Sequence, residues 1–217
     1  MAITDALDVD LSSIDPQVLA AVTQSRAWIA FVSGALDDAR TMATSAAAQS
    51  FGAERARQWQ FAARASLWLG DREGARAALE AMNAVGVTGR ATDAARATIE
   101  AGLAALDGDP AAQNRYRAAA QSWRELALPL QLVLCLLDAQ RLGGGAPSDP
   151  AESDELLRAL GADGLARLAG AAGDAAVSPR SAPARPARSR RPTGNTASRS
   201  DAARRRRRVT DPPAPPG

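Results

Sequence analysis

Arg57, Gln60, Arg64 and Trp68 follow one another at steps of three, four and four residues, the spacing that stacks side chains on one face of a helix. Two guanidinium groups flanking a carboxamide make a row of hydrogen-bond donors. Such a row suits a partner's carboxylate, which an Arg fork takes through two parallel hydrogen bonds. The plainer alternative for these residues is a solvated helix face. A second cationic feature is the unbroken run Arg204, Arg205, Arg206, Arg207, Arg208. Runs of this kind bind polyanions by displacing counterions, with a salt slope of about −0.9 per phosphate, hence about −4.5 if all five engage duplex DNA. No aromatic residue interleaves them, so base stacking and sequence readout are not expected. Nonspecific nucleic-acid binding through this run is the alternative function, and the acidic body of the chain is a competing target for it.

The remaining candidates point away from catalysis. All 26 basic residues are Arg, with no Lys and no His. That removes the P-loop lysine, the Schiff-base amine, the imidazole proton shuttle and the commonest metal ligand. Gly143-Gly144-Gly145 follows no predicted strand and precedes no Lys, so it reads as a connector. Asp37-Asp38 and Asp107/Asp109 stand at predicted helix starts, where carboxylates cap free amides and favour the macrodipole. Cys135 lies in the run Pro129-Leu-Gln-Leu-Val-Leu-Cys-Leu-Leu137 and is expected to be a small core residue. The chain is therefore read as non-enzymatic, without cofactor or metal, and its lone cysteine fits a reducing compartment.

Charge divides the chain. Residues 1 to 175 carry 15 Arg against 22 Asp and Glu, a net of −7, whereas residues 176 to 217 carry 11 Arg against 2 Asp, a net of +9. The acidic N-terminal segment has neither a basic leader nor an apolar stretch, and no window approaches a membrane span, so a cytoplasmic protein is expected. Three segments follow: a flexible stretch over 1–14, a helical domain over 15–172, and a disordered Arg/Pro-rich tail over 173–217. The tail has Val177 and Val209 as its only large aliphatic residues, too little apolar surface to offset the entropy of ordering.

The helices that must position these residues are punctuated by Gly34, Gly70-Asp71 and Gly108-Asp109, at intervals of 36 and 38 residues. Asp15-Pro16 opens the first helix, expected over about 16–32, and Leu36 opens the second, with Ala39, Ala43 and Ala46 as a small-residue seam. The helix 54–69 is apolar on two stripes and should be covered from two sides. Further helices are expected over about 75–84, 91–106, 110–126, 151–160 and 164–172. The Leu-rich helix that starts at Pro129 should be the most buried of all. Two-helix units at this interval cannot bury their own apolar faces and stack side by side, leaving a concave surface for a partner.

Aligned on these glycines, Trp59, Ala63, Ala39 and Ala75 fall where the tetratricopeptide pattern favours Trp or a small residue, while Gln113 and Glu100 depart from it. The sequence thus resembles a degenerate tetratricopeptide-like all-α solenoid of about four helix pairs, a fold in which Arg57, Gln60, Arg64 and Trp68 would line the concave groove. Trp123-Arg-Glu-Leu-Ala-Leu-Pro-Leu-Gln-Leu-Val-Leu-Cys-Leu-Leu-Asp-Ala139, followed by Leu156-Leu-Arg-Ala-Leu-Gly-Ala162, resembles the end of the helical-repeat region in large actinobacterial AAA-ATPase/LuxR-family transcriptional regulators. The resemblance covers roughly residues 16–170 and implies a regulatory protein-interaction scaffold. It lacks the family's Gly-rich loop with Lys and its helix-turn-helix opening. The tail is accordingly expected to be an eroded or frameshifted version of the family's C-terminal region.

Overall fold

A computed structural model describes residues 15–143 and 150–177, and all regular structure in them is helical. The helices are α1 (Pro16–Val32), α2 (Leu36–Gln49), α3 (Gly52–Leu69), α4 (Arg72–Ala84), α5 (Arg90–Leu106), α6 (Ala112–Glu125), α7 (Pro129–Leu142), α8 (Pro150–Ala159) and α9 (Asp163–Val177). None of them is long and apolar enough to cross a membrane. The last helix runs five residues beyond the domain boundary expected at 172, so that boundary is corrected to at least 177. The expected flexible segment over 1–14, most of the Gly-rich connector and the run Arg204–Arg208 lie outside the described residues.

The punctuating glycines do the same thing each time. Gly34, Gly70 and Gly108 adopt φ of +84°, +74° and +72°, a region that costs an L-residue its Cβ clearance. Each donates its N–H to the carbonyl three residues back, and the following residue donates to the carbonyl five back, at 2.9 or 3.0 Å. Two orphan carbonyls at each helix end are thereby satisfied and the chain reverses. The same pair of bonds closes α8 at Gly161. It also joins α6 to α7, where Ala127 rather than glycine holds the left-handed position at φ +52°.

Neighbouring helices pack in order, α1 on α2, α2 on α3, α3 on α4, α5 on α6 and α6 on α7, while α3, α5 and α7 also touch one another. Helices α1, α3, α5 and α7 run in the same direction. Residues 20–24 of α1 lie beside 51–54 of the α3 start, residues 53–60 beside 91–95 of α5, and Gln60 and Arg64 beside Gln131 and Asp138 of α7. The N-terminal ends of α1, α3, α5 and α7 therefore share one end of the molecule.

Two packing chemistries fill the core. Between α1, α2 and α3, Ala39, Ala43, Ala46 and Ala47 are fully buried, and Trp28, Phe31, Phe61 and Trp68 form a chain of rings with centroids 4.4 to 5.3 Å apart. Between α5, α6 and α7 the core is Leu132 to Leu137 with Tyr116 and Trp123. Gly102 lets α5 approach both α3 and α6, since a Cβ there would lie 3.0 Å from the Tyr116 hydroxyl and closer still to Leu67. The expectation that α7 is the most buried helix is amended. Leu130 stays 39% exposed, and α3 is buried without a break from Gln60 to Trp68.

Helix α9 packs on both α7 and α1, with Gly164 against Val32 and Leu168 against Gly34. The irregular third unit has its own explanation. Half-buried Gln113 donates to the Ala139 carbonyl at 3.4 Å, in the space left by the missing side chain of Gly143, and Glu100 is exposed.

Candidate protein-binding surface at the mouth of the inner helices

The expected groove residues separate. Arg57 is exposed and pairs with Glu54 one turn before it. Arg64 and Trp68 are buried and face α7, which fills the space where an open groove was expected. The Arg64 Nε donates to Asp138 at 2.9 Å, with side-chain exposures of only 4% and 1%, and the Trp68 Nε1–H donates to the same carboxylate at 2.6 Å. Arg141 lies over the Trp68 ring, 4.8 Å from its centroid. This cluster stitches α3 to α7 and is inaccessible to a macromolecular partner. The placement of Arg64 and Trp68 on an open concave face is corrected accordingly. An aligned row of side chains shows which face is shared but not what covers it.

Gln60 also faces α7, its Nε2 donating to the Gln131 Oε1 at 3.1 Å, but it borders open space. A cavity of about 290 Å³ opens at the mouth between α3, α5 and α7. Met82, Ala56, Ala95 and Trp123 make its floor, Gln60 and Gln131 one wall, and Leu128 and Arg57 its rim. The floor is held in place from behind, where the Trp123 Nε1–H donates to Thr98 Oγ1 at 3.0 Å and that hydroxyl donates to the Ala94 carbonyl at 2.8 Å.

A second cavity of about 320 Å³ lies on the other side of the α3 start, lined by Ala20, Ala21, Gln24, Gln49, Phe51 and Glu54. Phe51 is 66% exposed there. Of the six exposed large apolar residues among the described ones, Val18, Phe51, Leu128 and Leu130 belong to the N-terminal ends of α1, α3 and α7. Phe51 lines the second cavity and Leu128 the first. Three helix N-termini, those of α3, α5 and α7, converge on the first cavity and favour negative charge, an effect reduced by Glu54 and Asp93 in the first turns of α3 and α5.

Two buried groups are held in their neutral forms. Burial, reinforced by Asp138, pushes the Cys135 thiol up to about 12 and raises the Tyr116 phenol far above its ordinary value. A neutral thiol at 0% exposure is a poor nucleophile. Among the described residues no group of three or more His, Cys, Asp or Glu side chains is placed to hold a metal ion. Of the aspartates read as caps, Asp109 accepts from the Ala111 amide at 2.8 Å, while Asp37 and Asp107 pair with Arg40 and Arg72. Asp71, read only as part of a helix break, caps α4 by accepting from the Gly74 amide at 2.9 Å.

Asp138, Gln131, Leu128 and Phe51 were not singled out from sequence. A signal existed for Asp138, the one charge in the apolar run Leu130–Ala139, because a carboxylate in such a run needs a buried partner. Comparison with protein-family models, with curated proteins and with solved structures yields no match.

Proposed function

We propose that this chain is a non-enzymatic protein-interaction scaffold, a tetratricopeptide-like superhelix that receives its partner at the mouth formed by the N-terminal ends of α1, α3, α5 and α7. The observation that carries the reading is that two exposed large apolar residues, Phe51 and Leu128, each line one of the two cavities flanking the start of α3. Exposed apolar residues grouped in this way mark interaction surfaces, whereas single ones need no explanation. Support for a regulatory setting comes from the likeness of the Trp123–Ala139 run to the repeat region of AAA-ATPase/LuxR-family regulators. The Arg57 guanidinium, 66% exposed at the rim, favours a partner with a carboxylate beside its apolar anchor.

The test is selection of random dodecapeptides on the full chain, followed by affinity measurement on Leu128→Asp and Phe51→Asp. Both residues are exposed, so the fold should tolerate the changes. Peptides selected on the wild type should bind at least one variant about tenfold more weakly, the scale expected for losing an apolar anchor. Undiminished binding to both variants would remove the mouth from consideration.

A further inference from the structure

The wall of the α3–α5–α7 cavity holds two carboxamides joined by one hydrogen bond, Gln60 Nε2 to Gln131 Oε1 at 3.1 Å. Gln60 is 92% buried in residue terms and Gln131 is half-buried. A carboxamide offers two donor hydrogens and an oxygen with two lone pairs. One bond between the two therefore leaves the oxygen of one and the nitrogen of the other without a partner among the described residues. This holds whichever way the two amides are turned. Gln60 and Gln131 both line the cavity, and the Gln60 oxygen is not one of the sealed, unpartnered oxygens, as those of Gln49 and Gln58 are. An acceptor and a donor side by side above an apolar floor complement the N–H and C=O of one extended residue, which point to the same side of a strand.

Resting on the mouth reading, we infer that the Gln60–Gln131 pair clamps the backbone N–H and C=O of one residue in an extended partner segment whose apolar side chain enters the cavity over Met82 and Trp123. A carboxylate preceding that side chain would meet Arg57 at the rim, whose guanidinium spends one of its five N–H groups on Glu54. The convergent N-terminal ends of α3, α5 and α7 act in the same direction. The partner is thus a peptide of acidic-apolar sequence read partly through its main chain. Because a main chain is common to all sequences, the clamp supplies affinity, and the cavity and Arg57 supply register and selectivity.

The probe is N-acetyl-aspartyl-leucine methylamide, titrated into the full-length protein with the side-chain amide resonances of Gln60 and Gln131 as the readout. The comparison probe carries a methyl group on the leucine nitrogen, which removes the donor and keeps the side chain. Saturable shifts at both glutamines are expected. The methylated probe should bind about tenfold more weakly, the cost of one hydrogen bond to a buried carboxamide. Gln131→Leu removes the donor to the C=O and should lose a similar factor while still distinguishing the two probes, because the Gln60 oxygen that accepts the N–H remains. Equal affinities of the two probes for the wild type would overturn the clamp, as would shifts confined to other residues or the absence of saturation. The wild-type comparison needs no variant, so it stands even if Gln131→Leu misfolds. Selected peptides that depend on Leu128 or Phe51 yet ignore backbone methylation would dispose of the clamp and leave the mouth intact.

Discussion

The seam joining α1, α2 and α3 and the seam joining α3 to α7 meet on one helix but are built from opposite materials. In the first, alanines at 0% exposure bring backbones close and stacked rings fill the remainder. In the second, an ion pair and an indole donor hold the helices together around a carboxylate that is 99% buried. Shape alone specifies the first seam. The second depends on one residue, Asp138, which serves two donors from α3. Dispersion contacts are many and individually small, so the alanine seam fails by degrees when crowded, whereas a buried charge fails at once when it loses its partner.

The sharpest way to break the comparison is Asp138→Ala, which strands the Arg64 charge and the Trp68 N–H. A loss of about 3–5 kcal/mol is expected, measured by chemical denaturation. Replacing the ion pair, Arg64→Met with Asp138→Leu, should recover the part of that loss due to the stranded charge, while the Trp68 N–H still lacks its acceptor. Failure of the double variant to recover would mean that the α3–α7 seam requires the polar contact for its geometry.

Ala43→Leu tests the other seam by overfilling it, with an expected loss of about 1–3 kcal/mol. Ala127→Gly should raise stability by about 1 kcal/mol, because it relieves the left-handed backbone that the other turns assign to glycine. The mildest expected effect is at the α6–α8 contact. Glu152 accepts from Arg124 at 2.6 Å, and that hydrogen bond holds its carboxyl below the ordinary range. Both groups retain substantial solvent access, so Glu152→Gln should cost under about 1 kcal/mol, measured in the same denaturation series.

Cys135, whose thiol donates to the Tyr116 carbonyl of α6, gives the fold a pH dependence. Its folded pKa of about 12 stands above the unfolded value of 9.0, so between those values the unfolded chain loses a proton that the folded chain keeps. Stability is therefore fully present below about pH 9 and falls as pH rises toward 12. A thiol reagent at pH 9 should label the native protein only at the rate of unfolding, and Cys135→Ser should abolish labelling.

Helix existence and most boundaries were legible because they depend on neighbours in sequence. Gly34, Gly70 and Gly108 end their helices through bonds reaching no more than five residues back, and Asp15-Pro16 and Pro129 open theirs locally. The small-residue positions Ala39, Ala43 and Ala75 were legible too, since only a close neighbour explains such a run. The candidate site was read less well. Arg57, Gln60, Arg64 and Trp68 do share a side of α3, yet only Arg57 and Gln60 border open space, because α7 comes to lie on the others. That arrangement joins residues some seventy positions apart, as the Arg64–Asp138 and Gln60–Gln131 bonds show.

By itself, then, the sequence determined an all-helical chain, where its helices stop, and which side chains share a helix face, since each of these follows from backbone hydrogen bonds and side-chain spacing within a few residues. Only the tertiary structure decided which faces close on one another and which remain open at the mouth. That choice depends on burying Arg64, Asp138 and Trp68 together at a cost only mutual contact offsets, and no local pattern encodes such a contact between α3 and α7.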